Sequence, residues 1–152
     1  MSVIEELGLP PLPEPLPRPV IDNHTHLDST REYSGLGVDD NLRLAREVGV
    51  TRVIEVGCDV PGARFAVDLA GRDPQVRAAV ALHPNDAARA FLRGGEEELQ
   101  RQLAQIEALV GDPVVVAVGE TGLDHYRTRE PEGRAAQERA FRAHIRWANA
   151  AD

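Results

Sequence analysis

Val114-Val115-Val116-Ala117-Val118-Gly119-Glu120 is the stretch whose reading decides the fold. Five consecutive apolar residues, all but one β-branched, read as a strand covered on both faces, the signature of a parallel sheet. Side chains alternate along a strand, so Val114, Val116, Val118 and Glu120 share one face and the carboxylate emerges at the C-terminal end. Outward from this strand the chain alternates short apolar runs with helical patterns. Val76 to Leu82 reads as a strand running into His83-Pro84, and Arg52 to Gly57 as another. Val20 to His26 is the first. Helical spacing is expected over 39–48, stopped by Gly49, over 61–70 between Pro61 and Gly71, over 96–110, and over 134–150. Strands and helices in this order predict an α/β fold with four parallel βα units.

The strand ends carry the chemistry. If the first strand runs to its end, His24 and His26 project side by side while Thr25 points away, offering two nitrogen ligands to one ion. Asp22 shares their face and suits a group that orients a histidine. His83 and Glu120 stand at the ends of two further strands. Each residue has an ordinary explanation: a His-x-His can be two unrelated surface histidines, His83 a strand terminator, Glu120 a solvent-facing acid. Corresponding positions on three strands argue for a shared site, because an α/β barrel gathers its βα loops at the C-terminal ends of its strands.

Composition limits the alternatives. The 152 residues are 42% hydrophobic and 28% charged, ordinary for a folded domain. A formal charge of -8 argues against a protein that coats nucleic acid nonspecifically, since that mode draws most of its affinity from phosphate neutralisation. A nucleic acid met at a metal-loaded cleft remains compatible. Every basic side chain is arginine, and Cys58 is the only cysteine, which excludes an internal disulfide or a structural thiolate site. A cytoplasmic protein without a membrane span or secretory signal is expected. Residues 1–18 are expected to be a proline-rich leader, with 9–19 in polyproline II or disorder outside the fold, and 19–152 the domain. Such a leader is a spacer or a ligand for a proline-recognition module.

Asp22-x-His24-x-His26-Leu27-Asp28, Leu82-His83-Pro84 and Val118-Gly119-Glu120-Thr121-Gly122-Leu123-Asp124 together resemble the successive signatures of the TatD family of metal-dependent hydrolases and deoxyribonucleases. The resemblance covers about 19–150, and the Gly-Glu-Thr-Gly-Leu-Asp string is its specific part. It implies a (β/α)8 TIM-type barrel, two divalent metal ions (magnesium, manganese or zinc), and hydrolysis of phosphodiester bonds with DNA as substrate. By the same resemblance His24 and His26 bind one ion and Glu120 bridges to a second. His83 would then serve as a catalytic phosphate contact, with Asp22 and Asp124 as supporting or substrate-binding groups. Asn85 stands where the family often has a second histidine, and His125 where an aromatic residue is common; both departures bear on substrate contacts.

Eight βα units need roughly 250 residues. This chain supplies four, so it reads as the N-terminal half of such a barrel, and the family's remaining ligands, two histidines and an aspartate, lie on later strands. His144 falls within the helix expected over 134–150 and is read as a packing or solvent residue. Unpaired sheet edges favour self-association or a second chain that completes the half-barrel, and a truncated product with weak or no activity is expected. The rival functions are hydrolysis of an amide or ester outside nucleic acid chemistry, and a noncatalytic fragment or interaction module.

Overall fold

A computed structural model describes residues 2–151. Its elements are α1 (Val3–Glu6), β1 (Val20–Thr25), α2 (Leu27–Ser34), α3 (Val38–Glu47), β2 (Val50–Gly57), α4 (Val60–Arg72), β3 (Val76–Val80), α5 (Pro84–Val110), β4 (Val115–Ala117) and α6 (Pro131–Ala150). The four strands form one parallel sheet in the order β1-β2-β3-β4. Each strand is thus added on the same side of its predecessor. With right-handed crossovers, that order keeps successive helices on one face and bends the sheet toward a barrel wall. A doubly wound sheet would show a reversal of order, and none occurs among the described strands.

The interior forms where helices cover the sheet. Leu82, Leu99 and Ile106 are fully buried with Ala140 and Trp147 of α6. A second cluster joins Leu42 of α3, Leu69 of α4 and Val53 and Val76 of the central strands. The junction of β2 and α4 is the closest approach. A Cβ on Gly57 would lie 2.4 Å from the Ala63 backbone, so glycine is required there. Asp59 caps α4 by accepting from the Gly62 N–H at 2.8 Å, and Pro61 sits in its first turn.

Several sequence expectations need correction. The helix expected over 96–110 begins at Pro84, because His83 caps it and Pro84 fits a first turn; Gly95, at φ 68°, breaks it into two helical pieces. The third strand ends at Val80 rather than Leu82. α2 was not expected at all: its sequence, LDSTREYS, buries only Leu27 and has no apolar repeat. The fourth strand contracts to three residues and is not covered on both faces, since Val116 is 53% exposed on an edge strand whose one neighbour among the described residues is β3. Residues 9–19 carry no helix or strand, yet the Leu16 N–H donates to the Val48 carbonyl at 2.9 Å, which lays this stretch against the end of α3. No described helix is long and apolar enough to cross a membrane.

Candidate metal centre

The end of β1, the residue that follows it and the loop after β4 bring three ligand-type side chains together. His24 Nε2 lies 3.2 Å from His26 Nε2 and 3.4 Å from Glu120 Oε2. His26 Nε2 is 3.9 Å from the same oxygen, and all three donor atoms lie within 4.8 Å of one another. The expected i, i+2 pairing is met in space but not by a continuous strand. β1 slips register between Asp22 and Thr25, and His26 caps α2 at φ -130°, ψ 76°. The two rings stand nearly edge to face, centroids 5.0 Å apart.

His26 is oriented from behind. Its Nδ1 lies 3.0 Å from the Val56 carbonyl oxygen, an acceptor only, so Nδ1 carries the proton and Nε2 presents a lone pair to the cluster. The flanking residues are held by Glu55, which is 1% exposed. The Leu27 N–H donates to both Glu55 oxygens at 2.9 and 3.0 Å, and the Thr25 hydroxyl donates to Oε2 at 2.9 Å. Burial pushes the Glu55 carboxyl up to about 7, against the lowering effect of these bonds.

On the opposite side, His144 supports the Glu120 loop. Its Nε2 accepts from the Leu82 N–H at 3.3 Å, which leaves the proton on Nδ1 to be donated to Thr121 Oγ1 at 2.5 Å. Burial lowers this imidazole to about 4, so it is neutral near pH 7. The ring is 2% exposed and packs on Trp147 at 5.0 Å. The packing reading of His144 is therefore right in part, but its polar role at the end of β3 was missed.

His83 reaches Glu120 from the end of β3, with Nε2 3.7 Å from Oε1. Its Nδ1 accepts from the Asn85 N–H at 3.1 Å, so Nε2 bears the proton and faces the cluster as a donor. Cys58 Sγ donates to Glu120 Oε2 at 3.6 Å; burial first, and then the Glu120 charge, push this thiol up to about 12 and keep it protonated.

Asp22 and Asp124 are placed differently. The Asp22 carboxylate turns back to accept from the His24 N–H at 3.1 Å, supporting the backbone rather than an imidazole. Asp124 makes no hydrogen bond or ion pair with His24, His26 or Glu120 among the described residues. It accepts from the Arg127 N–H at 2.9 Å, from Asn85 Nδ2 at 2.9 Å and from Arg127 Nη1 at 3.0 Å, bonds that hold it well below the usual carboxylate range. Asn85 is thereby engaged with the loop before α6, and also accepts from Thr128 Oγ1 at 3.3 Å.

The donor set fits a divalent ion. At metal–ligand distances of about 2.1 Å, neighbouring ligands in tetrahedral or octahedral geometry stand about 3.0 to 3.4 Å apart. Two of the three observed spacings meet that range, and the third needs a shift of under about 1 Å. Imidazole and carboxylate together suit magnesium, manganese or zinc.

Comparison with known proteins agrees with the arrangement of strands and ligands. The family described as TatD related DNase matches residues 21–152. An uncharacterized metal-dependent hydrolase TatD of Mycobacterium tuberculosis is 38% identical over 135 residues, covering 83% of this chain and 46% of the relative. A protein of Salmonella typhimurium described as a 3'-5' ssDNA/RNA exonuclease TatD is 32% identical over 111 residues, covering 72% of this chain and 38% of that protein. The crystal structure of YJJV, a TatD homologue of Escherichia coli K12, superposes with a TM-score of 0.65 at 26% identity, over 87% of this chain and 47% of that one. The chain spans about half the length of the curated relatives it matches, and its four parallel βα units have the TatD-type fold of that neighbour over the part they share, consistent with a partial (β/α)8 barrel. On sequence and on fold alike, the chain belongs to the TatD family of metal-dependent hydrolases.

Proposed function

We propose that the chain forms the ion-binding front of a divalent-metal phosphodiesterase that cleaves DNA. The observation that carries this reading is the convergence of His24, His26 and Glu120 at the C-terminal ends of β1 and β4. His24 and His26 would hold one ion, and Glu120 would share it with a second. Among the described residues this is a single three-ligand cluster, so the second ion calls for donors contributed in addition, by further sequence or by a second chain. Bound divalent ions at such a site lower the pKa of water and polarise a phosphoryl oxygen.

The chain's own residues supply position and protons. His83, with its proton on Nε2, can donate to a phosphate oxygen beside Glu120. The Val56 carbonyl fixes the His26 tautomer, while the Cys58 thiol donates to one Glu120 oxygen. Nucleic acid as the substrate is supported by the relatives described as ssDNA/RNA exonucleases.

Calorimetric titration of the chain with manganese or zinc tests the ligand set. Glu120→Gln is expected to weaken binding by about tenfold or more while the circular dichroism spectrum is kept. Assays on a single-stranded oligodeoxynucleotide, with and without chelator, test the activity. Cleavage that ignores the chelator, or undiminished turnover by folded Glu120→Gln, would refute the reading. Turnover of amides or other esters in place of DNA would keep the centre and change the substrate.

A further inference from the structure

Beside the metal centre a groove of about 640 Å³ opens between the start of α4 and both halves of α5. Arg64, Arg89, Arg93 and Arg101 line it. Its acids are already engaged: Asp59 caps α4, Asp86 pairs with Arg89, and Glu98 pairs with Arg101. Bonds from Arg101 and Gln102 hold Glu98 down to about 2, so it remains a carboxylate committed to those partners. Arg64 and Arg93 have no acidic partner among the described residues, and both are exposed. Two uncommitted guanidiniums in one concavity are suited to phosphate oxygens, which accept their paired N–H groups.

The groove and the site share a wall. Asp86 lines it and also lies 3.9 Å from His83 Nδ1, while Asp59 follows Cys58, which touches Glu120. α5 rises about 1.5 Å per residue, so Arg93 lies roughly 15 Å along the helix from its cap, His83. At the duplex spacing of about 3.4 Å per phosphate, that span takes about four phosphates, and fewer if the strand is extended.

We infer that the groove lined by Arg64 and Arg93 is a phosphate-binding track for a single nucleic acid strand whose scissile linkage sits at the metal centre. The inference rests on the phosphodiesterase reading and extends it from the reacting bond to the strand. It assigns to this face a length dependence: a strand that reaches Arg93 is held, and a dinucleotide at the centre is not held there.

The test is binding of a fluorescein-labelled oligothymidylate of about ten nucleotides to the chain, by anisotropy across a salt series. The variants are Arg64→Gln/Arg93→Gln and a charge-matched control, Arg18→Gln/Arg46→Gln, whose exposed side chains lie outside the groove. The groove variant is expected to bind about tenfold more weakly, with the slope of log Kd against log salt reduced by about 1.4, from about 0.7 per phosphate contact. The control should stay within about twofold of the parent, and a thymidine dinucleotide should not distinguish the proteins. Equal loss in the groove variant and the control, or no binding by the parent, would overturn the track. Binding of manganese to the chain is followed by calorimetry in parallel. If ion binding persists and groove binding fails, only the track is wrong; if strand binding holds but no ion is bound, it is the phosphodiesterase reading that fails.

Discussion

The two segments that carry the ligands are held from behind by buried titratable groups of opposite kind. Behind His26 stands Glu55, an acid whose burial raises it to about 7; behind Glu120 stands His144, a base whose burial lowers it to about 4. Desolvation disfavours charge in both cases and therefore moves the two in opposite directions. Glu55 accepts from the residues flanking His26, whereas His144 both accepts and donates, joining the end of β3 to the Glu120 loop. The β1 side is thus held by a group whose charge is in balance near neutrality, and the β4 side by one that is neutral there. The difference implies that acid and alkali loosen the centre from different sides.

Removing His144 should produce the largest effect. His144→Leu keeps apolar packing against Trp147 but leaves the buried Leu82 N–H without a partner, which costs about 2 to 3 kcal/mol in a buried site. Thermal unfolding should show a fall in Tm of about 5 to 10 °C. A change under about 1 °C would mean that the β4 side does not depend on this ring.

The pH dependence sharpens the contrast. The folded value of His144 lies below its ordinary 6.5, so its contribution to stability is complete above 6.5 and is lost as pH falls toward about 4. The folded value of Glu55 lies above its ordinary 4.5, so its contribution is complete below 4.5 and is lost as pH rises through about 7. Between 4.5 and 6.5 the two slopes oppose each other and nearly cancel. Glu55→Gln should unmask the histidine's dependence, with stability falling by up to about 1.4 kcal/mol per pH unit on acidification through that window. Urea midpoints across the window check this, and a profile parallel to the parent's would remove Glu55 from the account. Asp22→Ala should matter least. It removes an exposed carboxylate from one backbone N–H, so a stability change within about 0.5 kcal/mol is expected by chemical denaturation.

The same contrast explains what could be read from the sequence. β2 and α4 were legible because apolar runs and end signals agree there: Val53 and Val56 are buried, Asp59 and Pro61 open the helix. The three ligands were legible as residue types at strand ends, although neither His26 nor Glu120 lies within a strand. Glu55 was not legible, because an acid between Ile54 and Val56 looks like the polar side of an alternating strand; only the fold shows it turned onto Leu27 and Thr25. His144 was hidden in the same way, since helical periodicity reports burial but not which N–H a buried ring will meet. The first half of α5 was missed although His83-Pro84 is a start signal, because that pair was read as the end of a strand and Gly94-Gly95 interrupts the apolar pattern.

The bond from His26 to the Val56 carbonyl has a thermodynamic corollary. The ring loses its rotational freedom when the chain folds, not when an ion arrives, so this ligand is preorganised for capture. His24 has no ring hydrogen bond to the backbone among the described residues and is the ligand left to be ordered on binding. An ion bound here adds to stability by mass action in proportion to its concentration over its dissociation constant. The centre is in that sense a passenger of the fold: stripping the ion should return the chain to its intrinsic stability rather than unfold it, unlike the small zinc modules whose fold is made by their metal.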